Sequence, residues 1–134
     1  MSASVEAARR PGWITFAAVI LFVGAGVYAL WAINEFADAV WVADVTNGVL
    51  DDQLWLWALW DSAMAVLFLY AGWDLLSGTG TVGRWVAVIA AGVSIVRWMY
   101  WIPFAPLAGF TIVFLATLVI YGVVAHWDTL GRRA

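Results

Sequence analysis

A chain of 134 residues has room for one domain, and a hydrophobic share of 66% with only 11% charged residues cannot clothe a soluble globule of that size. Six arginines without a lysine, a formal net charge of −3 and no cysteine exclude a nucleic-acid surface, a disulfide framework, a thiolate metal site, an iron–sulfur cluster and c-type haem attachment. The composition is that of a membrane protein.

Met1 to Pro11 is a polar tail carrying Arg9 and Arg10. The first span is predicted from about Trp13 to Ile33, free of charge. At about 1.5 Å per residue it crosses a hydrocarbon core of about 30 Å. Basic residues ahead of an apolar run also mark signal peptides. This run exceeds the usual apolar region of about 7–15 residues, so an uncleaved span is expected. Gly24, Gly26 and Ala29 allow another helix to approach closely.

Asn34 to Gln53 reads as the one long connection, with Glu35, Asp38, Asp44, Asp51 and Asp52 in it. Thr46-Asn47-Gly48 lies between Val40-Trp41-Val42 and Val49-Leu50. That pattern predicts either a short β-hairpin or an amphipathic cap on the bilayer rim. Asp51 and Asp52 fit a solvated acidic rim better than a divalent-cation site.

The second span is predicted from about Leu54 to Leu76 and contains Asp61. Ser77 to Gly83 is a Gly-rich turn that lacks both the lysine and the preceding strand of a phosphate-binding loop. The third span follows from about Arg84 to Ile102 and contains Arg97. After the short Pro103 to Pro106 turn, with Pro106 suited to open a helix, the fourth span runs to about Trp127. Asp128 to Ala134 ends with Arg132 and Arg133. The predicted fold is all-α: a polytopic, antiparallel bundle of four transmembrane helices, with the hairpin or cap in its first extracytoplasmic loop.

Arg9, Arg10, Arg84, Arg132 and Arg133 fall on one side of this arrangement, and the loop carboxylates on the other. By the positive-inside rule both termini are expected to be cytoplasmic, in the plasma membrane. Tryptophans gather at the two rims: Trp13, Trp85 and Trp127 at the inner edge, and Trp55, Trp60 and Trp101 at the outer. All six are expected to act as interfacial anchors.

An isolated charge within a span costs at least about 2.5–3.5 kcal/mol, so Asp61 and Arg97 are expected to be partners. Counted from the shared turn, Asp61 stands about 22 Å up its helix and Arg97 about 20 Å up the next, at one level. Ala58, Asp61, Ala65, Phe68 and Gly72 share one helix face, and Gly83, Ala87, Ala90, Ser94 and Arg97 another. Small residues on both faces favour close approach. A buried pair that fixes register and a relay or substrate-binding charge both use such residues.

No catalytic constellation, metal site or cofactor is expected. His126 is the sole histidine, at the inner edge and far from Asp61, so neither a Ser/His/Asp set nor bis-histidine haem ligation within one chain assembles. Thr117 and Tyr121 share a face and are expected to hydrogen-bond inside the bundle.

Gly12-Trp13, Gly48-Val49-Leu50, Trp60, Ala71-Gly72, Gly83-Arg84, Ile102-Pro103 to Pro106 and Val119-Ile120-Tyr121 to His126 follow one another in a telling order. By these the chain, from about Gly12 to His126, resembles a family of small bacterial four-span membrane proteins known only as a domain of unknown function. The resemblance implies topology and no activity. The family's pattern has an acidic residue near the position of Thr117 and does not generally carry charges like Asp61 and Arg97, which makes the pair a feature of this chain.

The expected function is non-enzymatic: an integral plasma-membrane protein, surrounded by lipid, that acts by association as a homo-oligomer or an accessory subunit of a larger membrane complex. The alternative is a small ion- or proton-coupled transporter or channel using Asp61 and Arg97. A quinone- or lipid-handling enzyme subunit, with redox groups supplied by a partner, is a weaker third.

Overall fold

The computed structural model describes residues 12–37, 54–77 and 80–131. Four long helices account for most of it: α1 Gly12–Phe36, α2 Leu54–Ser77, α3 Thr81–Trp101 and α4 Pro106–Ala125, followed by a short α5, Trp127–Gly131. All four long helices are long and apolar enough to cross a membrane. The chain is an all-α polytopic membrane protein. The stretch expected to form a hairpin or cap, with Trp41, Asp51 and Asp52, lies outside the described residues.

Each long helix packs on its neighbours in sequence, and α4 closes the ring against α1. Lipid tails supply no hydrophobic drive between helices, so close backbone contact has to hold them. Each of the four seams has a glycine where a Cβ would press on the neighbouring helix: Gly72 against Ala18 O, Gly83 against Asp74, Gly109 against Trp98 O and Gly122 against Trp13 O. Between these glycines the core is made largely of small side chains, among them Ala17, Ala18, Ala87, Ala90, Ala91 and Ala116.

Local chemistry sets the helix ends. Pro106 opens α4 with its φ already helical, and Ala105 O accepts from Gly109 N–H at 2.8 Å. At the end of α4, His126 Nδ1 donates to Gly122 O at 2.9 Å. Gly80, at φ 70°, turns the chain into α3 but offers no side-chain cap. Asp74 supplies one from α2, accepting from Gly83 N–H at 2.7 Å. The Gly-rich connection is therefore shorter than Ser77 to Gly83, because Ser77 belongs to α2 and Thr81 to Gly83 to α3.

Two expectations about side-chain direction change. Thr117 and Tyr121 face outward; Thr117 Oγ1 donates to Val113 O of its own helix at 2.8 Å, and Tyr121 meets Trp13 edge to face. A hydroxyl bonded one turn back needs no partner helix. Trp13, Trp60 and Trp85 are exposed, and Trp127 is half-buried beneath the Arg84 guanidinium. Trp101 is not a lipid-facing anchor. It is 1% exposed and packs against Trp31, Trp98 and Phe104 inside the bundle end. The side chain of Trp55 lies outside the described residues.

Candidate functional site

The end of the bundle away from α5 holds three charged side chains from three helices. Helix α1 continues one turn past Ile33, and this turn carries Glu35 into the interior. Leu21, Ala25, Tyr28, Ala32 and Glu35 are all buried, on one continuous helix face. The acid expected in the outer loop is therefore a helix residue, placed there by the same periodicity that buries Tyr28.

Asp61 and Arg97 come to the same spot from α2 and α3. Arg97 Nη2 lies 3.5 Å from Asp61 Oδ2 and 3.8 Å from Glu35 Oε1. Side-chain exposure is 0% for Glu35, 3% for Asp61 and 8% for Arg97. The guanidinium has aromatic neighbours as well. Its Cζ is 4.2 Å from the Trp57 ring centroid and 5.2 Å from that of Trp101, both within cation–π range. On the lipid side, Arg97 reaches a groove of about 370 Å³ walled by Trp57, Trp60, Val93 and Val96.

The contacts around Arg97 are longer than the ~2.7–2.9 Å usual for a charge-assisted hydrogen bond. One nitrogen serves two carboxylates. Among the described residues, Glu35 Oε1 and Oε2, Asp61 Oδ1, and Arg97 Nε and Nη1 have no hydrogen-bond partner. One turn deeper, Tyr28 Oη and Ser94 Oγ are hydrogen-bonded at 2.7 Å. They line a small apolar cavity of about 50 Å³ bounded by all four long helices, too small for a ring-sized ligand when a cavity of about 150 Å³ is what admits benzene.

The opposite end is built differently. Arg84 Nη1 donates to Trp127 O at 3.0 Å, and its guanidinium lies 4.5 Å from the Trp127 ring centroid. Trp85 meets the same ring edge-on at 4.7 Å. These contacts and Leu130 on Gly80 pin α5 under α3. Among the described residues, no group of three or more His, Asp or Glu is placed to hold a metal ion.

Sequence reasoning brought Asp61 and Arg97 to one level but missed Glu35 and the Trp57 ring. The spacing from Leu21 to Glu35 carried the signal for Glu35; for Trp57 it was the one-turn spacing to Asp61 on the same helix face. A family model described as "Domain of unknown function (DUF7144)" matches residues 13–128. No curated protein and no solved structure matches the chain.

Proposed function

We propose, from the premise that the chain belongs to the DUF7144 family and inherits no assigned activity from it, that this is a non-enzymatic protein of the plasma membrane acting by association. It works as a homo-oligomer or as a subunit of a larger membrane complex, with both termini in the cytoplasm. The orientation rests on the arginine bias of the inner segments.

The observation that carries association is the outward face of α1. Gly12, Phe16, Val19, Val23, Gly26, Leu30 and Ile33 recur at alternating spacings of four and three, and every one is exposed. One continuous face of α1 is thus turned outward, open to a partner helix. Gly12 and Gly26 have nothing within 4 Å of a built Cβ, a condition shared among the described residues only by Gly92 of α3. A glycine within a helix costs about 0.5–1 kcal/mol relative to alanine. Gly24, by contrast, is filled by the Phe68 ring inside the bundle. Gly26 has no such use within the chain, and small residues on a membrane helix let a second backbone approach.

The chain contains no cysteine, so an introduced one is a unique probe. Val23→Cys and Leu30→Cys, oxidised in native membranes, are expected to give covalent dimers or an adduct with a foreign subunit. Ala91→Cys, buried within the bundle on α3, serves as the control. Monomers alone at both seam positions would overturn the proposal.

The triad favours a second reading, a small ion- or proton-coupled transporter or channel, because ionisable groups within membranes mark ion pathways. Exchanging charges, Asp61→Arg with Arg97→Asp, preserves a purely structural pair and abolishes coupled flux in reconstituted vesicles. An exchange variant with full flux would sink this reading.

A further inference from the structure

Glu35 and Asp61 contribute −2 and Arg97 +1, so the enclosed triad carries a formal charge of −1. An unmatched unit charge in a low-dielectric interior is costly, and buried charges are accordingly paired or bound to ions. The packed elements supply no second cation among the described residues. From α1 the cluster is faced by Glu35 and, one level deeper, by Tyr28; from α2 by Asp61; from α3 by Arg97. Helix α4 has no charged residue, and its Tyr121 sits at the far end beside Trp13.

A second observation is independent of this charge count. The Glu35 side chain is 0% exposed, yet neither of its carboxylate oxygens has a hydrogen-bond partner among the described residues, and Asp61 Oδ1 shares that condition. Buried polar atoms are satisfied in the great majority of cases. Three carboxylate oxygens of the cluster thus have acceptor capacity unused, and Arg97 Nε and Nη1 are likewise without a hydrogen-bond partner among the described residues. The guanidinium, for its part, has the rings of Trp57 and Trp101.

We infer that the Glu35–Asp61–Arg97 triad is a binding site for one monovalent cation, a proton or a sodium-sized ion, taken up by the Glu35 and Asp61 carboxylates. One such ion brings the cluster to neutrality. A divalent ion would leave +1, and an anion would deepen the charge to −2. The site is independent of the association reading, and it is the least that ion coupling requires.

The test is thermal unfolding of the full chain in lipid nanodiscs. One series exchanges sodium chloride for choline chloride at constant ionic strength and fixed pH. A second varies pH at fixed sodium. An ion that binds the folded chain and not the unfolded one changes the unfolding equilibrium constant up to tenfold for each tenfold change in its concentration. Wild type is expected to show that slope in one series, sodium or proton identifying the ion. Glu35→Gln, which restores formal neutrality, is expected to lose it while remaining folded. Asp61→Asn provides the same comparison should Glu35→Gln fail to fold. Infrared difference spectra of the wild-type carboxyl bands through both series give a readout free of any variant. Carboxyl bands unchanged through both series overturn the inference, as does a slope in Glu35→Gln undiminished from that of wild type.

Discussion

The backbone N–H of Gly83 donates to Asp74 Oδ2 at 2.7 Å, so a carboxylate near the end of α2 caps the first turn of α3. Helix caps contribute about 0.5–2 kcal/mol. Asp74→Ala is expected to lower stability by about 1 kcal/mol, and Asp74→Asn, which keeps an acceptor, by less. Gly83→Ala should be at least as harmful, because its Cβ would stand 2.6 Å from Oδ2 and 2.7 Å from Cβ of Asp74. Denaturant unfolding in bicelles checks all three; a harmless Gly83→Ala would mean that the two helix ends part easily.

Neighbouring glycines on α1 should respond in opposite ways. A Cβ at Gly24 would lie 2.6 and 2.7 Å from two atoms of the Phe68 ring, which is itself held edge-on to Tyr28. Gly24→Ala is expected to cost about 1–3 kcal/mol through overpacking. Gly26→Ala meets open space, and the isolated chain should gain about 0.5–1 kcal/mol. Unfolding under dilute conditions measures both effects, and cross-linking yield in membranes should fall for Gly26→Leu.

Removing Arg97 strands two enclosed carboxylates. Arg97→Met is expected to cost about 3–5 kcal/mol, the range for breaking a buried ion pair from one side. Adding Glu35→Gln and Asp61→Asn should recover most of the loss. Arg97→Lys keeps the charge but not the planar face over Trp57, and should fall between wild type and Arg97→Met. Stability of the four proteins in bicelles gives the order; a triple variant no better than Arg97→Met would point to packing of the arginine stem.

Gly80 sits at φ 70°, and a Cβ there would lie 2.8 Å from Leu130 Cδ2. Gly80→Ala is expected to lose about 1–2 kcal/mol to the left-handed backbone alone, with further loss from displacing α5. Combining it with Leu130→Ala should be less than additive, since the shared contact is lost only once. Hydrogen exchange over α5 reports the displacement directly.

Hydropathy made the spans legible, since an apolar run of about twenty residues with at most two charges has few other uses. The faces of α2 and α3 were legible too: Ala58 to Gly72 and Gly83 to Arg97 follow the helical repeat. Glu35 was misplaced because Asn34 and Asp38 around it read as loop, although its register with Tyr28 and Ala32 ran on unbroken. Trp101 was misplaced because a rim tryptophan can face lipid or its own bundle, and rim position alone does not distinguish them. The Asp74 cap was invisible, since it depends on a turn that folds the chain back to nine residues further on. The exposed stripe of α1 could be written from the sequence, but which α1 face meets the bundle could not. Gly24 and Gly26 look alike until Phe68 fills one of them.

The three-residue break between Ser77 and Thr81 also bears on how the chain enters a bilayer. A nascent α2 offering Asp61 alone, or a nascent α3 offering Arg97 alone, would each face an insertion penalty of about 2.5–3.5 kcal/mol. So short a break delivers both segments to the translocon almost together. Their opposite charges arrive at one depth and can meet before either helix commits to lipid. On this account α2 and α3 integrate as a single hairpin, and lengthening the break should lower the membrane-integrated fraction even with every contact of the finished bundle intact.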